Sequence, residues 1–453
     1  MPGSNKTNKL KPEDRSGSND SISVKMEVLK LETNNNDVPE EEFIDPYCVE
    51  GKPQKITFQD VTSAAFLIKG GVERTPCFKS KLTDHRDLDM DLYLKMDFMQ
   101  HTGSFKERGA RYALLSLSEE QKKKGVISAS LGNHAQALKA APIMKIQKCR
   151  NYKANVVVFG KDMGEAKKLA MKMANDQKLL YINGYDHPHI MAGQGTIGLE
   201  ILEQVEQPDA VIIPVGGGGL IAGIAVAIKS LSPKTKIIGV ESEKCPSFSN
   251  AMTHKGPVHT AIKNTLADGL AVPKVGVNAY ETALPLIDKM VVVKEEWIAL
   301  SILQLVETEK CVVEGAGAAG LAAILAGHLP ELTEKKVVLL LCGGNIDTTV
   351  FGRCLERGLA AEGRLVKFTV NVSDRPGGIH ELCRLMSDLG VSIKDIMHER
   401  AWLKDIYSVE VKVVAETRDW DHSLALKKML NEHYETVTLL KFLWRFIINL
   451  HSI

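Results

Sequence analysis

A lysine at the start of a predicted helix is the first residue of this sequence that could do chemistry. Lys106 follows a Gly-Ser turn in the run TGSFKERGA, residues 102–110. A helix N-terminus carries partial positive charge, which together with partial burial would lower the pKa of the amine. Such an amine can act as a nucleophile or form a Schiff base. The alternative is an ordinary surface lysine without a catalytic role.

Four consecutive glycines, which follow one apolar run and open another, are the second candidate. Backbone N–H groups of such a loop can converge on an anion, and the dipole of the following helix adds to the attraction. The order of strand, glycines and helix favours phosphate binding over a flexible turn, although the spacing is not that of a nucleotide P-loop. Glu241, at the end of a later strand, could bind a ribose, so a dinucleotide-binding enzyme stays a rival. The glycines are Gly216, Gly217, Gly218 and Gly219.

Two polar turns after apolar runs complete the candidates. Ser130 and Asn133 lie in the run SLGNH, residues 130–134, where they either cap a helix or leave free N–H groups for a carboxylate. Cys342 follows the last core strand, where a thiol can hydrogen-bond a ligand or simply fill a tight turn.

These candidates need a scaffold that brings the ends of strands together, and the sequence alternates between short β-branched runs and longer helical stretches. Continuous apolar strands that alternate with helices predict a parallel α/β core covered on both faces. Ligands bind beyond the carboxyl ends of the strands in such sheets, so the loops there are where chemistry is expected. The runs are Val126–Ile127, Val156–Phe159, Val211–Ile213, Ile237–Val240, Val291–Val293 and Val337–Leu341.

The pattern changes after Gly363. A strand, a turn and a helix are followed by two more strands and a second helix, and this order predicts a small α+β, ferredoxin-like domain. The segments are a strand at Val366–Val372, a turn at Asp374–Gly378, a helix at Ile379–Leu389, strands from Val391 and at Val409–Val413, and a helix near His422–Leu430.

Composition excludes several classes of protein. Hydrophobic residues make up 44% of the 453 residues and charged residues 25%, as in a globular protein of two or three domains. The net charge of +1 gives no electrostatic reason to expect nucleic acid or an acidic membrane as partner. The eight cysteines form no C-x-x-C pair, so we expect no metal site, and reduced thiols in the cytoplasm. Residues 1–55 are rich in Ser, Asn, Lys and Glu, which predicts a disordered N-terminal tail without a targeting signal.

In order and content, the four sites together resemble the fold-type-II (tryptophan-synthase-β-like) pyridoxal-phosphate enzymes. The resemblance is greatest to the threonine/serine dehydratases, or threonine ammonia-lyases, with one C-terminal ACT-like domain. It implies a two-lobed, parallel-sheet catalytic core at residues 56–359 and an ACT-like regulatory domain at residues 363–438. Residues 439–453 would then be a variant C-terminal tail.

The resemblance also implies roles for the cofactor-binding residues. Lys106 would form the Schiff base with pyridoxal phosphate and later remove the α-proton of the substrate. Phe105 would pack on the cofactor ring, Asn133 would contact the ring hydroxyl, and Cys342 would face the pyridine nitrogen. A neutral thiol cannot hold that nitrogen protonated, which suits elimination better than transamination. The phosphate would be bound by Gly216, Gly217, Gly218 and Gly219.

The loop with Ser130, Asn133 and His134 would bind the substrate carboxylate in the same family. Racemases of the family carry a serine just before the Gly-Asn of this loop, where this chain has Leu131. A leucine cannot transfer a proton, so the resemblance implies elimination rather than racemisation.

One departure from the family pattern concerns the segment after Lys139. In relatives the preceding helix runs on to a further strand before an Ala-Pro segment begins, whereas here Lys139-Ala140 leads directly into Ala141-Pro142. The end of a helix and a whole strand are missing. We expect this loss to open a sheet edge and to remove core contacts.

The leading hypothesis is pyridoxal-phosphate-dependent deamination of L-threonine, and of L-serine, to a 2-oxo acid and ammonia. The alternatives are a catalytically impaired member with a regulatory role, a serine racemase and an NAD-dependent enzyme. The expected partners are the amino-acid substrate, an amino-acid effector at the ACT-like domain, and further copies in a homodimer or homotetramer. A purely structural, dimerising role for that domain stays open, and neither nucleic acid nor a membrane is expected as partner.

Overall fold

The computed structural model describes residues 45–85, 88–129, 149–151, 153–160, 163–403 and 405–439. Four predicted features lie outside these residues: most of the N-terminal tail (residues 1–44), the SLGNH run (130–134), the junction after Lys139, and residues 440–453 of the C-terminal tail. Within the described part of the chain, no helix is both long enough and apolar enough to cross a membrane.

The described strands and helices alternate through most of the chain. The strands are β1 (Cys77–Lys79), β2 (Asp91–Lys95), β3 (Val126–Ile127), β4 (Leu180–Tyr181), β5 (Ala210–Pro214), β6 (Lys236–Ser242), β7 (Lys289–Val293), β8 (Lys336–Leu340), β9 (Leu365–Ser373), β10 (Ser392–Glu399), β11 (Ser408–Glu416) and β12 (Val437–Leu439). The helices are α1 (Phe58–Ile68), α2 (Leu82–His85), α3 (Lys106–Leu115), α4 (Glu119–Lys124), α5 (Met163–Gln177), α6 (Pro188–Gln204), α7 (Gly219–Leu231), α8 (Ser247–His254), α9 (Val277–Ala283), α10 (Glu295–Glu307), α11 (Gly315–Leu325), α12 (Thr348–Ala361), α13 (Gly378–Asp388) and α14 (Trp420–His433).

A six-stranded sheet with the order β1-β2-β8-β5-β6-β7 contains the strands that end at the candidate site. Its strands are parallel except β1, which pairs antiparallel with β2 at one edge. Every residue of β5 is buried, as expected of a strand that helices cover on both faces. The predicted parallel α/β core is thus confirmed.

Strands β3 and β4 form a separate, two-stranded parallel sheet with only two residue pairs. The predicted strand Val156–Phe159 is wrong, because residues 154–160 have no regular structure and Val157, Val158 and Phe159 are 39–55% exposed. A β-branched run becomes a strand only where a neighbour exchanges ladder hydrogen bonds with it. The described part of this small sheet gives the run no such neighbour.

Helices α3 and α6 touch backbone to backbone. A Cβ on Gly109 of α3 would lie 2.6 Å from Ile190 O, and a Cβ on Gly193 of α6 would lie 2.6 Å from Gly109 Cα. Any larger residue at either position would push the helices apart. This contact holds helix α3, which begins at Lys106, in a defined place on α6.

Strands β9 to β12 form a four-stranded antiparallel sheet with the order β10-β11-β9-β12. One face of β9 is buried and packs with residues of α13 and α14 in a hydrophobic cluster of its own. The order β-α-β-β-α-β confirms the predicted α+β, ferredoxin-like arrangement. The cluster includes Val366, Phe368, Val370, Val372, Leu382, Met386, Leu426 and Leu430.

The segment before α1, which the composition assigns to the tail, is held by one buried asparagine. Asn278 of α9 donates through Nδ2 to Tyr47 O at 2.6 Å and accepts from Gln54 N at 2.7 Å. The ring of Tyr47 lies 4.4 Å from that of His187 at the start of α6. The partners of these polar residues lie far along the chain, so local composition does not indicate this packing.

Candidate active site

Lys106 is the first residue of helix α3, and the turn before it is hydrogen-bonded to the turn after strand β8. Phe105 N donates to Cys342 O at 3.0 Å, and Gly344 N donates to Gly103 O at 3.0 Å. These backbone hydrogen bonds bring the candidate lysine and the candidate thiol to the same edge of the sheet.

The side chain of Lys106 is exposed, and its Nζ lies 4.5 Å from the centroid of the Phe105 ring. The expected partial burial is therefore wrong, since the first turn of α3 leaves this side chain open to solvent. An ammonium group over an aromatic face is attracted to it. The amine is thus held beside the ring that was expected to pack on a cofactor.

The four glycines lie between β5 and α7, as the sequence predicts. Gly218 caps α7 with φ of +91°, a left-handed conformation that residues with a Cβ rarely adopt. A Cβ on Gly217 would overlap the ring of Tyr185, and one on Gly219 would overlap Tyr185 O. Only glycine fits beside Tyr185 at positions 217 and 219 of the loop. Because these residues have no side chains, an anion could reach the N–H groups at the N-terminus of α7.

Cys342 follows β8 and is buried. Burial raises the pKa of its thiol to about 12, the Glu314 carboxylate adds to this shift, and the charge of Lys106 opposes it. The thiol is therefore neutral at physiological pH. A neutral thiol is a weak hydrogen-bonding group rather than a source of charge.

Glu314 is a buried carboxylate of this site that sequence reasoning missed. A Cβ on Gly343 would lie 2.5 Å from Glu314 Oε1, and one on Gly269 would lie 3.5 Å from it. The short turn with Gly269 also packs on the glycine loop, because a Cβ on Gly216 would lie 3.1 Å from Leu270 Cα. Glu314 therefore lies between the turn with Cys342 and the turn that packs on the glycine loop.

A local signal for Glu314 existed in the sequence. It stands directly before the run GAGAAG, residues 315–320, and occupies the N-cap of α11. Glycine and alanine at the start of a helix let other backbone segments approach closely. An acidic residue directly before such a run indicates a carboxylate in a closely packed place.

Ser130, Asn133 and His134, together with Leu131, lie outside the described residues. Their expected contacts with the cofactor ring and the substrate carboxylate stay predictions. The described chain reaches Ala129, which is buried after β3.

Glu241, the residue of the dinucleotide-binding alternative, has another role. Both of its carboxylate oxygens are engaged: it accepts from Phe248 N at 2.6 Å, from Ser249 N at 2.9 Å and from Ser249 Oγ at 2.7 Å. These groups form the start of helix α8, and Glu241 is fully buried. Glu241 caps that helix, so its carboxylate is not available to bind a ribose. This removes the residue on which the dinucleotide-binding alternative depended.

The described residues fit pyridoxal phosphate by their chemistry. An accessible amine can bond an aldehyde, a side-chain-free helix start can hold a phosphate, and a neutral buried thiol can face a pyridine nitrogen. The amine of Lys106 and the thiol of Cys342 belong to two turns that are hydrogen-bonded to each other. Glu314 and the turn at Gly269 lie between these turns and the glycine loop.

Comparison with known proteins agrees with this geometry. A family described as "Pyridoxal-phosphate dependent enzyme" matches residues 68–142 and 139–343. The L-threonine ammonia-lyase of Thermotoga maritima is 38% identical over 393 residues, which are 83% of this chain and 97% of that protein. The processed form of threonine deaminase isoform 2 from Solanum lycopersicum is 32% identical with a TM-score of 0.60, covering 69% of this chain and 98% of that one. The serine racemase of Dictyostelium discoideum is 31% identical with a TM-score of 0.58, covering 64% of this chain and 99% of that one.

The family match is divided into two parts that meet at residues 139–142. This is the junction at which the resemblance predicts that the end of a helix and a strand are missing.

Proposed function

The chain belongs to the family of pyridoxal-phosphate dependent enzymes, and on this premise we propose that it converts L-threonine, and also L-serine, to a 2-oxo acid and ammonia. The observation that carries the proposal is the pair of hydrogen-bonded turns that place Lys106 beside Cys342, next to a glycine loop fit for a phosphate. Relatives named for threonine ammonia-lyase and threonine deaminase support this reaction among those of the family.

Lys106 is proposed to hold the cofactor covalently through Nζ. The same amine, when free, would serve as the general base that takes the α-proton of the substrate. Pyridoxal phosphate, when bound, supplies the electron sink for the charge left on the α-carbon. The exposure of Lys106 suits both steps, because an incoming amino acid can reach Nζ.

Gly216, Gly217, Gly218 and Gly219 are proposed to bind the phosphate through their N–H groups at the start of α7. Cys342 is proposed to face the pyridine nitrogen. Its high pKa keeps the thiol neutral, so it does not stabilise a charged pyridinium, and this favours elimination over transamination.

The substrate carboxylate is assigned to the loop with Ser130, Asn133 and His134, and the ring hydroxyl to Asn133. The resemblance to the family supports this assignment. Ala129, the last described residue before this loop, is buried and lies two residues after β3.

Product analysis of the full chain, loaded with pyridoxal phosphate, tests the proposal. We expect equal amounts of 2-oxobutanoate and ammonia from L-threonine, pyruvate from L-serine, and no requirement for a nicotinamide. D-Threonine serves as the control substrate. A protein with the visible absorbance of bound cofactor but no 2-oxo acid product would contradict the proposed reaction.

A catalytically impaired member with a regulatory role is the second candidate. The exposed residues Val157–Phe159 and the divided family match favour it, because both agree with the predicted loss of a strand after Lys139. The same assay separates the two, since the impaired member would bind the cofactor without turnover.

A serine racemase is the third candidate, supported by the racemase of known structure. Chiral analysis of the products from L-serine distinguishes it. Substantial D-serine would overturn the argument based on Leu131 and would mean that another residue supplies the second proton.

We also propose that the C-terminal α+β region binds an amino-acid effector and that the enzyme is a homodimer or homotetramer in the cytoplasm. The turn before α13 supports an effector site, since Gly377 caps this helix with φ of +105° and leaves its first N–H groups without a covering side chain. Arg400 pairs with Asp374 at 2.8 Å beside this turn.

A further inference from the structure

Four charged side chains lie buried behind the first turn of helix α3, and the function proposed above does not use them. We call Lys95, Asp97, Arg108 and Glu200 the buried ion network. The side chains of Lys95, Asp97 and Arg108 are 0% exposed and that of Glu200 is 14% exposed. Two cations and two anions balance each other, so the network as a whole carries no net charge.

Arg108 stands at the centre of this network, two residues after Lys106. Its Nε and Nη2 donate to Asp97 at 3.1 Å and 2.7 Å. Its Nη1 and Nη2 donate to Glu200 at 2.6 Å and 2.9 Å, and Nη1 also donates to Thr196 Oγ1 at 3.2 Å. The planar guanidinium is thus held by two carboxylates in two paired contacts, a geometry that only arginine can make.

The two carboxylates belong to different elements around the site. Asp97 follows β2, and the next residue, Phe98, donates its N–H to Leu341 O at 3.0 Å, directly before Cys342. Glu200 lies on α6, against which α3 packs through glycines. Arg108 therefore connects the helix that begins at Lys106 with both the turn that carries Cys342 and the supporting helix.

Lys95 joins the network through Glu200. Its Nζ donates to Thr75 O at 2.7 Å, to Glu200 Oε2 at 2.5 Å and to Gln204 Oε1 at 2.9 Å. Burial lowers the pKa of Lys95. Burial by itself would lower the pKa of Arg108. The hydrogen bonds and negative charges of Asp97 and Glu200 have the larger effect, so the pKa of Arg108 is raised.

Stability alone is a poor reason for such a network. The desolvation of buried ion pairs offsets most of their Coulomb attraction, and well-packed apolar residues often stabilise a fold as well or better. What the network adds is orientation, because a forked cation between two fixed carboxylates allows helix α3 only one rotation about its axis. Displacement of a catalytic group by about 1 Å can reduce a rate about 100-fold.

We propose that Arg108, held by Asp97 and Glu200, is a positioning residue that sets the placement of Lys106 relative to Cys342 and the cofactor. This inference rests on the proposed role of Lys106. It concerns how the lysine is held and assigns Arg108 no contact with substrate.

The test compares Arg108→Lys with Lys95→Gln in the full chain. The first keeps the charge but cannot bridge two carboxylates, whereas the second changes the same network at a side chain whose hydrogen-bond partners all lie outside α3. For Arg108→Lys we expect kcat to fall at least about tenfold with KM within about threefold. We also expect the affinity of the apoenzyme for pyridoxal phosphate to fall about tenfold and the visible band of the bound cofactor to change. For Lys95→Gln we expect a similar decrease in Tm, with kcat and cofactor affinity within about threefold of the unmutated protein.

An Arg108→Lys variant with unchanged kcat, cofactor affinity and visible band would overturn the proposal. So would equal losses in both variants, because the network would then act only through stability. If Arg108→Lys does not fold, Asp97→Asn replaces it, with the same expected results and the same overturning ones. If the unmutated protein makes no 2-oxo acid, the proposed function fails, but cofactor affinity and the visible band still decide the role of Arg108.

Discussion

At the scale of single residues, Lys106 is the group on which the proposed reaction depends. Lys106→Ala removes the amine that we propose to bind the aldehyde and to take the α-proton, so we expect activity to fall by about 10³-fold or more and the cofactor's covalent absorbance to disappear. Borohydride reduction followed by peptide mapping measures the covalent link. Lys122→Ala, an exposed lysine paired with Glu119 on α4, is the control and should behave as the unmutated protein. A reducible cofactor adduct at its normal level in Lys106→Ala would contradict the assignment.

A second residue, Glu241, predicts a pH dependence of stability. Burial raises the pKa of its carboxyl from 4.5 to about 7. Between these values the folded state keeps the proton and the unfolded state releases it, so the stabilising contribution is complete below pH 4.5 and is lost as the pH rises to 7. The shift corresponds to about 3 kcal/mol.

Urea denaturation between pH 4.5 and 7.5 measures this contribution. We expect the Glu241→Gln variant to lack that loss of unfolding free energy with rising pH, whereas Glu243→Gln, at a half-buried neighbouring position, should retain it. Identical pH dependence in Glu241→Gln and the unmutated protein would show that the carboxyl of Glu241 titrates normally.

At the scale of elements, the loop between β5 and α7 must pass Tyr185 without side chains. Gly219→Ala places a Cβ on Tyr185 O, a backbone atom that cannot turn away. We expect a loss of about 1–3 kcal/mol in unfolding free energy and a lower affinity for pyridoxal phosphate, because the start of α7 must shift. Gly352→Ala is the matched control, since a Cβ there meets nothing within 4 Å on α12. Wild-type cofactor affinity in Gly219→Ala would contradict a phosphate site at this loop.

The small sheet of β3 and β4 gives the second prediction at this scale. Inserting after Lys139 the segment that we expect to be missing, taken from the threonine ammonia-lyase relative, should supply a neighbour for the exposed residues Val157–Phe159. We expect Tm to rise by about 4 °C or more and cofactor affinity and activity to increase. A Gly-Ser insertion of equal length at the same place is the control and should rescue none of them. Equal Tm and cofactor affinity in the unmodified and restored chains would refute the idea that the segment is needed.

At the scale of the whole molecule, the C-terminal sheet is joined to the catalytic region by an ion pair between Arg364, at the start of β9, and Glu307 of α10 at 2.8 Å. This ion pair lies at the opposite end of β9 from the turn before α13, where we propose that an effector binds. Titration of activity and Tm with isoleucine and valine, which are not the proposed substrates, should identify at least one that shifts both.

The thermal shift follows from linkage, because a ligand at 100 times its Kd stabilises the folded state by about 2.7 kcal/mol. Gly378→Ala should abolish the response without changing basal activity, since a Cβ there would overlap Ser373 O and distort the turn. The D-isomers of the same amino acids are the control ligands. No shift from either isoleucine or valine would favour a purely structural role for this region.

The sequence by itself determined the main elements and the order of the candidate residues along them. The apolar runs that became β5, β6, β7 and β8 form a parallel sheet because continuous β-branched stretches are stable as strands when both faces are covered. Lys106, the four glycines and Cys342 each stand within a few residues of a strand or helix end. Parallel strands end at the same edge of a sheet, so the positions of these residues along the sequence were enough to predict that they lie close together.

Only the tertiary structure decided which polar groups pair across the chain. Glu314 reaches Gly343, Arg108 reaches Glu200, and Glu241 caps a helix rather than a ribose. The run Val156–Phe159 has the composition of a strand but no partner in the described small sheet. The physical reason is the same in each case. A buried charge or a backbone N–H is stable only with a partner, and the identity of that partner depends on contacts between distant segments, which no local pattern of residues contains.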